Sequence, residues 1–145
     1  MHKKILFIIL ILSTSAFSQN LDDGDSHIVS RIISVYDGDT FRVDIDTLPE
    51  IVGKNIAIRI LGIDTPEIQG KCEQEKLLAI KARDLARDYL NNAKSIHLKN
   101  LSRGKYFRLL ADVYVDGSNL ADALLEKGLA VKYSGKKKSS WCEND

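Results

Sequence analysis

The alternation of apolar and polar residues predicts that most of this chain is β-structure. Five runs are rich in β-branched and aromatic residues or alternate with period two, and we predict them as strands: 28–36, 41–46, 56–63, 95–101 and 107–115. The first two strands are joined by Asp37-Gly38-Asp39-Thr40, whose Asp-Gly pair is typical of a tight hairpin turn. Residues 48–55, with Pro49 and Gly53, are expected to form a loop.

Two segments have helical periodicity instead. Leu78, Ala82, Leu85 and Tyr89 recur at three- and four-residue spacing, which predicts a helix over residues 73–91. A shorter helix over 119–127 ends at Gly128. The resulting order, βββαββα, predicts an α+β, mainly β fold. We expect a five-stranded, partly open OB-type barrel with one long helix between strands 3 and 4 and a short helix after strand 5.

The first eighteen residues have the pattern of a secretory signal peptide. Two lysines precede an apolar run over 5–12, and Ala16-Phe17-Ser18 fits the cleavage rule. A membrane anchor is the alternative, but the run is shorter than the roughly 20 apolar residues of a spanning helix. We therefore predict cleavage after Ser18 and a secreted or periplasmic protein. Residues 19–27 are expected to be a flexible N-terminus, 28–133 the barrel domain and 134–145 a basic tail.

Charge and cysteine content narrow the functional classes. The net charge is +1, and removal of Lys3 and Lys4 leaves 19 basic against 20 acidic residues, so total charge does not favour a nucleic-acid partner. Cys72 and Cys142 are too few for a zinc cluster, and in an oxidising compartment such a pair is interpreted first as a disulfide. Two free thiols are the alternative.

Acidic residues interrupt the strand pattern at two places. Asp39 follows a glycine in the predicted hairpin, and Asp64-Thr65-Pro66-Glu67 closes an apolar strand. Two carboxylates with a backbone or hydroxyl oxygen form a hard-oxygen site that suits Ca²⁺. The same Asp-Gly-Asp tripeptide at 23–25 lies in the polar N-terminal segment, where we interpret it as solvated chain.

Two arginines stand next to apolar residues in predicted strands. Arg59 lies between Ile58 and Ile60, and an unpaired charge there would be costly to bury. A structural salt bridge with Glu67 or Asp64 would explain it. Arg108 has a similar environment, and two guanidinium groups directed at one place match bidentate recognition of phosphate.

Four blocks in this order resemble the staphylococcal-nuclease-like (thermonuclease) family. They are residues 35–40, 59–67, 105–108 and 122–130, so the resemblance extends over about residues 28–133. It implies that Asp39 and Asp64 ligate Ca²⁺ through their carboxylates and Thr65 through its backbone carbonyl. Asp37 matches a carboxylate near the metal that is not itself a ligand.

The resemblance also implies the catalytic roles and the reaction. Glu67 is implied as the general base, Arg59 and Arg108 as the groups that bind the scissile phosphate, and Lys105 and Tyr106 as contacts to the nucleotide. The implied function is an exported, calcium-dependent endonuclease that cleaves DNA and RNA with little sequence specificity and leaves 3′-phosphate ends. We expect a monomer with no stable membrane association after signal cleavage.

The sequence departs from the family pattern in two places. The loop after Glu67 is short, and no long helix follows Tyr133; Trp141 and a Cys72–Cys142 bridge are expected to seal the barrel instead. The lysines at 132 and 136–138 could extend a phosphate-binding surface, although such a run is more often simply solvated. Two alternatives to the nuclease remain open: a non-catalytic OB-type module that binds single-stranded nucleic acid, and a secreted calcium-binding structural protein.

Overall fold

The computed structural model describes residues 26–143. The predicted signal peptide, its cleavage site and residues 19–25 lie outside the described residues, so those predictions stay as they are. Within the described part of the chain, no helix is long and apolar enough to cross a membrane.

Nine strands and three helices make up the described residues. In chain order they are β1 His27–Ile28, β2 Arg31–Val35, β3 Thr40–Asp44, α1 Glu50–Gly53, β4 Ile56–Ile60, β5 Ile63–Asp64, α2 Glu73–Asn91, β6 Ile96–Arg103, β7 Arg108–Val115, β8 Ser118–Asn119, α3 Leu120–Glu126 and β9 Val131–Lys132.

The main sheet has the order β1-β6-β7-β4-β3-β2, with β8 added to β7. All its pairs are antiparallel except β4 with β7. The strand predicted at 28–36 is divided into β1 and β2, which lie at opposite ends of the strand order. Val29 N–H bonds to Ile96 on one side and Ser30 N–H to Asp44 on the other, so this single stretch of chain curls the sheet towards closure. The predicted mainly-β, OB-type architecture is confirmed.

Helix α2 has the predicted bounds, but the face that it buries is centred on its alanines rather than on its leucines. Its fully buried residues are Glu75, Ala79, Ala82, Ala86 and Leu90, whereas the predicted stripe of Leu78, Leu85 and Tyr89 is partly buried along its edge. Alanines on the buried face let the helix backbone approach the barrel. A Cβ atom added at Gly38 would lie 2.7 Å from the Ala82 Cβ, so this glycine is required by close packing.

Several boundaries differ from the prediction for local reasons. The predicted loop 48–55 contains the helical turn α1. The third predicted strand ends at Ile60, because Gly62 has a φ of 77° and turns the chain into β5. Strand β6 continues to Arg103, two residues beyond the predicted strand, and the bend that follows it carries Tyr106 and Phe107, both at a φ of 56°.

The N-terminal end of the described chain is more ordered than its composition predicts. His27, assigned to a flexible N-terminus, lies in β1 and pairs with Leu98 of β6. At the other end, the predicted Cys72–Cys142 disulfide is confirmed, and it joins the basic tail to the residue that precedes α2. The tail is therefore attached to the barrel, as the predicted bridge implied.

Candidate active site

Strand pairing brings two acidic residues distant in sequence to one end of the barrel. Asp39 lies just before β3, and its carbonyl accepts a hydrogen bond from Ile60 N at 2.9 Å. Asp64 lies in β5, which is reached from β4 through the Gly62 turn. Both residues are almost completely buried, with exposed fractions of 1% and 2%. Buried carboxylates need compensating charge, so this pair defines the centre of the candidate site.

Arg59 supplies part of that compensation by bridging the two carboxylates. Its Nη1 donates to Asp39 Oδ1 at 2.8 Å and its Nη2 to Asp64 Oδ1 at 2.9 Å. The β3–β4 register places Arg59 opposite Thr40, directly beside Asp39. The salt bridge considered from sequence therefore exists with Asp64, and it extends to Asp39 but not to Glu67.

The donor set fits a hard divalent cation such as Ca²⁺. Asp39 Oδ2 accepts one long hydrogen bond, from Thr65 N at 3.2 Å. Thr65 Oγ1 is buried and has no hydrogen-bond partner among the described residues. A buried oxygen without a partner beside two carboxylates matches the all-oxygen coordination of Ca²⁺. Asp39 and Asp64 would hold the ion through their carboxylates. Thr65 is predicted to add its backbone carbonyl, and its unpaired hydroxyl is a second oxygen at the same position.

Glu67, the predicted base, lies at the edge of this cluster with a side chain that is 56% exposed. Its Oε1 accepts a hydrogen bond from Lys138 Nζ at 2.6 Å. The same ammonium lies 3.0 Å from Asp64 Oδ1. The hydrogen bond from Lys138 lowers the pKa of Glu67, so this carboxylate is ionised at neutral pH. Lys138 was predicted only as part of a solvated or phosphate-binding lysine run.

An open cleft of about 530 Å³ adjoins the cluster and contains the remaining predicted residues. Arg108, at the start of β7, stacks over the ring of Tyr106 at 5.7 Å, and its Nε donates to Lys105 O at 3.3 Å. Tyr106 itself is 87% exposed. The cleft is lined by polar and aromatic residues from five segments: Tyr36, Asp37, Thr40, Arg59, Glu67, Ile68, Gln69, Lys105, Tyr106, Arg108, Tyr133, Gly135 and Lys138.

Asp37 lies beside the carboxylate pair, and its pKa is raised. Its Oδ1 accepts a hydrogen bond from Asp39 N at 3.3 Å. Burial, together with the negative charge of Asp39, raises the pKa of Asp37 to about 7. Asp37 can therefore hold a proton near neutral pH, which limits the negative charge around Asp39 in the metal-free protein.

Glu75 is a site-supporting residue that was not predicted. Its carboxylate accepts hydrogen bonds from Lys71 N at 2.8 Å and Glu67 N at 3.4 Å, so it fixes the short loop that presents Glu67. The sequence signal that could have identified Glu75 is its position as an acidic residue in the first turn of a predicted helix, where the helix dipole favours negative charge. Glu75, Cys72 and Cys142 lie together as three residues of metal-binding types, but both sulfurs are in the disulfide and cannot act as thiolates.

A curled OB-type barrel that carries paired carboxylates, a bridging arginine and a further carboxylate at the edge of a polar cleft is an arrangement typical of a hydrolase. Residues 57–144 match the family of staphylococcal nuclease homologues, and the chain belongs to this family. The resemblance found in the sequence motifs is thereby confirmed.

Characterised relatives agree with this assignment. Endonuclease YncB of Bacillus subtilis is 36% identical over 97 residues, which is 65% of this chain and 43% of that protein. The thermonuclease of Staphylococcus hyicus is 31% identical over 69% of this chain and 56% of its own length. The thermonuclease of Staphylococcus intermedius is 29% identical over 74% and 59%. The chain thus matches between about two fifths and three fifths of these relatives.

Proposed function

We propose that this chain is an exported, calcium-dependent endonuclease that hydrolyses phosphodiester bonds of DNA and RNA with little sequence specificity and leaves 3′-phosphate ends. The observation that carries the proposal is the meeting of Asp39, Asp64 and Arg59 beneath a cleft that also contains Glu67 and Arg108. Membership of the nuclease family and relatives named endonuclease and thermonuclease support it.

The charges of the cleft suit a phosphodiester undergoing attack by water. Calcium, when bound by Asp39, Asp64 and Thr65, would supply Lewis-acid stabilisation of the charge that develops on phosphate oxygens. Arg108 lies at the cleft surface, where its guanidinium can bind two of those oxygens. Arg59 is held by both carboxylates and lines the cleft, where its guanidinium would add positive charge beside a bound phosphate.

Glu67 is the group in the cleft best placed to accept the proton of the attacking water. It is exposed, and a glutamate carboxylate is ionised at neutral pH whether or not Lys138 is docked on it. A base so positioned contributes about 10²–10⁴-fold to the rate. Glu75 holds the backbone of the loop that presents it, so the carboxylate is positioned although the loop is short.

Nucleotide bases would find aromatic surfaces at the rim of the cleft. Tyr106 and Tyr36 are both largely exposed beside Arg108 and Lys105. Exposed aromatic rings next to cations are the usual means of holding single strands without reading their sequence. This supports low specificity and a preference for unpaired substrate.

One set of incubations separates this function from its two alternatives. The chain without residues 1–18 is mixed with plasmid and with single-stranded DNA or RNA, in calcium or in chelator. Digestion that requires calcium supports the nuclease. Gel retardation without cutting would identify a binding module, and calcium binding with neither behaviour would identify a structural calcium protein. Export is tested by expressing the full chain in a bacterium and determining the mature N-terminus of the protein outside the cytoplasm, which we expect at Gln19.

A further inference from the structure

The C-terminal tail places a lysine inside the candidate site. Strand β9 pairs with β5, Tyr133 N donates to Gly62 O at 2.9 Å, and the Cys72–Cys142 disulfide fixes the chain again four residues after Lys138. Residues 133–142 therefore form a strap that is anchored at both ends. Between its anchors, Gly135 and Lys138 of the strap line the cleft.

Lys138 is the side chain of the strap that enters the site. Its ammonium touches Glu67 Oε1 at 2.6 Å and Asp64 Oδ1 at 3.0 Å. One cation thus contacts both a proposed metal ligand and the proposed base. Lys136 and Lys137 lie in the same strap, and neither makes an ion pair with any described residue.

We propose that Lys138 is a built-in competitor of the divalent cation, so that the strap closes the metal-free site and must release Asp64 and Glu67 before the site can work. This inference rests on the proposed function, because it requires that Asp64 binds a metal.

The charge balance of the cluster favours replacement of the Lys138 ammonium by the divalent ion over binding of both together. With Lys138 in place, two cations face Asp39, Asp64 and Glu67, and one negative charge is left uncompensated. Replacement of the ammonium by a divalent ion brings the cluster to neutrality, whereas addition of the ion with Lys138 still docked leaves an excess positive charge. The ammonium and the ion would also share Asp64 Oδ1 at contact distance, where like charges repel strongly.

Lys138 also contacts one carboxylate oxygen of the proposed base. Because Glu67 Oε1 accepts a hydrogen bond from the ammonium, Lys138 competes with water for that oxygen. Release of the strap would therefore free a ligand and a base in one movement. The concentration of metal needed for activity would be set by the strap as well as by the ligands.

Calorimetric titration of calcium into the protein lacking residues 1–18 tests this without substrate. A docked competitor raises the apparent Kd by the reciprocal of the undocked fraction, so Lys138→Met should tighten the calcium Kd by about threefold or more. Lys136→Met removes the same charge from the same strap and should leave the Kd close to that of the wild type. The double substitution Cys72→Ser with Cys142→Ser should also tighten binding, and adding Lys138→Met to it should have little further effect.

Equal calcium affinity of Lys138→Met and Lys136→Met, with measurable binding to the wild type, would overturn the inference and leave the proposed function intact. Weaker binding by Lys138→Met would overturn it as well, because Lys138 would then assist the metal. If neither the wild type nor the Lys138→Met protein binds calcium, the metal site itself is wrong and the inference falls with it.

Discussion

Replacement of Arg59 by methionine should destabilise the metal-free protein far more than the loss of an ordinary surface charge. Arg59 is 14% exposed and is paired with two carboxylates that are each 2% exposed in their side chains. Removing one partner of a buried ion pair costs about 3–5 kcal/mol, because the opposite charge is left uncompensated. Thr65 N–H, the Thr40 hydroxyl and Lys138 still contact the carboxylates, so we expect the lower end, about 3 kcal/mol.

Thermal unfolding in chelator measures this loss. For a domain of this size, 1 kcal/mol corresponds to roughly 4 °C, so the melting temperature should fall by about 12 °C. Calcium should restore most of the stability lost by the Arg59→Met protein, since a ligand at a hundredfold excess over its Kd stabilises by about 2.7 kcal/mol. Lys54→Met is the matched control, because Lys54 and Asp46 form an exposed pair whose loss should cost about 1 kcal/mol or less. Equal losses in the two variants, or no recovery with calcium, would refute the assignment of Asp39 and Asp64 as a buried, metal-binding pair.

Three further predictions address the disulfide, the phosphate contact and the effect of pH. Cys72→Ser with Cys142→Ser opens a 70-residue loop and should lower the free energy of unfolding by up to about 4 kcal/mol. The melting temperature should fall and should no longer respond to reductant. An unchanged melting temperature contradicts a stabilising bridge. Arg108→Lys should slow DNA cleavage by about 10²-fold, because an ammonium cannot reproduce the guanidinium fork, and an undiminished rate removes Arg108 from the mechanism. The raised pKa of Asp37, about 7, means that the folded protein holds this proton more tightly than the unfolded chain does. The stabilising contribution of this proton is therefore complete below about pH 4 and is lost as the pH rises through about 7. In urea unfolding with chelator, the stability of Asp37→Asn relative to the wild type should increase across that range. A difference in stability that does not change with pH contradicts the raised pKa.

Local sequence patterns were sufficient for the framework of the fold. The bounds of α2 follow from its periodicity, and the end of α3 follows from Gly128, which has a φ of 66°. Gly38 shows the limit of such reasoning. It lies in the predicted turn, but its φ is not positive, and its lack of a side chain matters because Ala82 and Thr65 pack against it. That contact joins segments separated by more than twenty residues, which no local pattern contains.

Part of the candidate site could likewise be predicted from sequence motifs, and part could not. The motif resemblance gave Asp39, Asp64, Arg59 and Arg108, and the structure places them around one cleft. The direct pairing of Arg59 with Asp39 depends on the β3–β4 register and could not be derived from either motif alone. Lys138 was beyond prediction, because its position depends on the path of a strap without periodicity between β9 and the disulfide.

The most direct test of the proposed nuclease is the single-turnover cleavage rate of a labelled single-stranded oligonucleotide, measured with saturating calcium and with chelator. The wild type should cleave in calcium and not in chelator. Glu67→Gln should keep the fold and bind calcium, yet cleave about 10²–10⁴-fold more slowly, since an amide cannot accept the proton of the attacking water. Cleavage by Glu67→Gln at the wild-type rate, or cleavage that persists unchanged in chelator, would contradict the account.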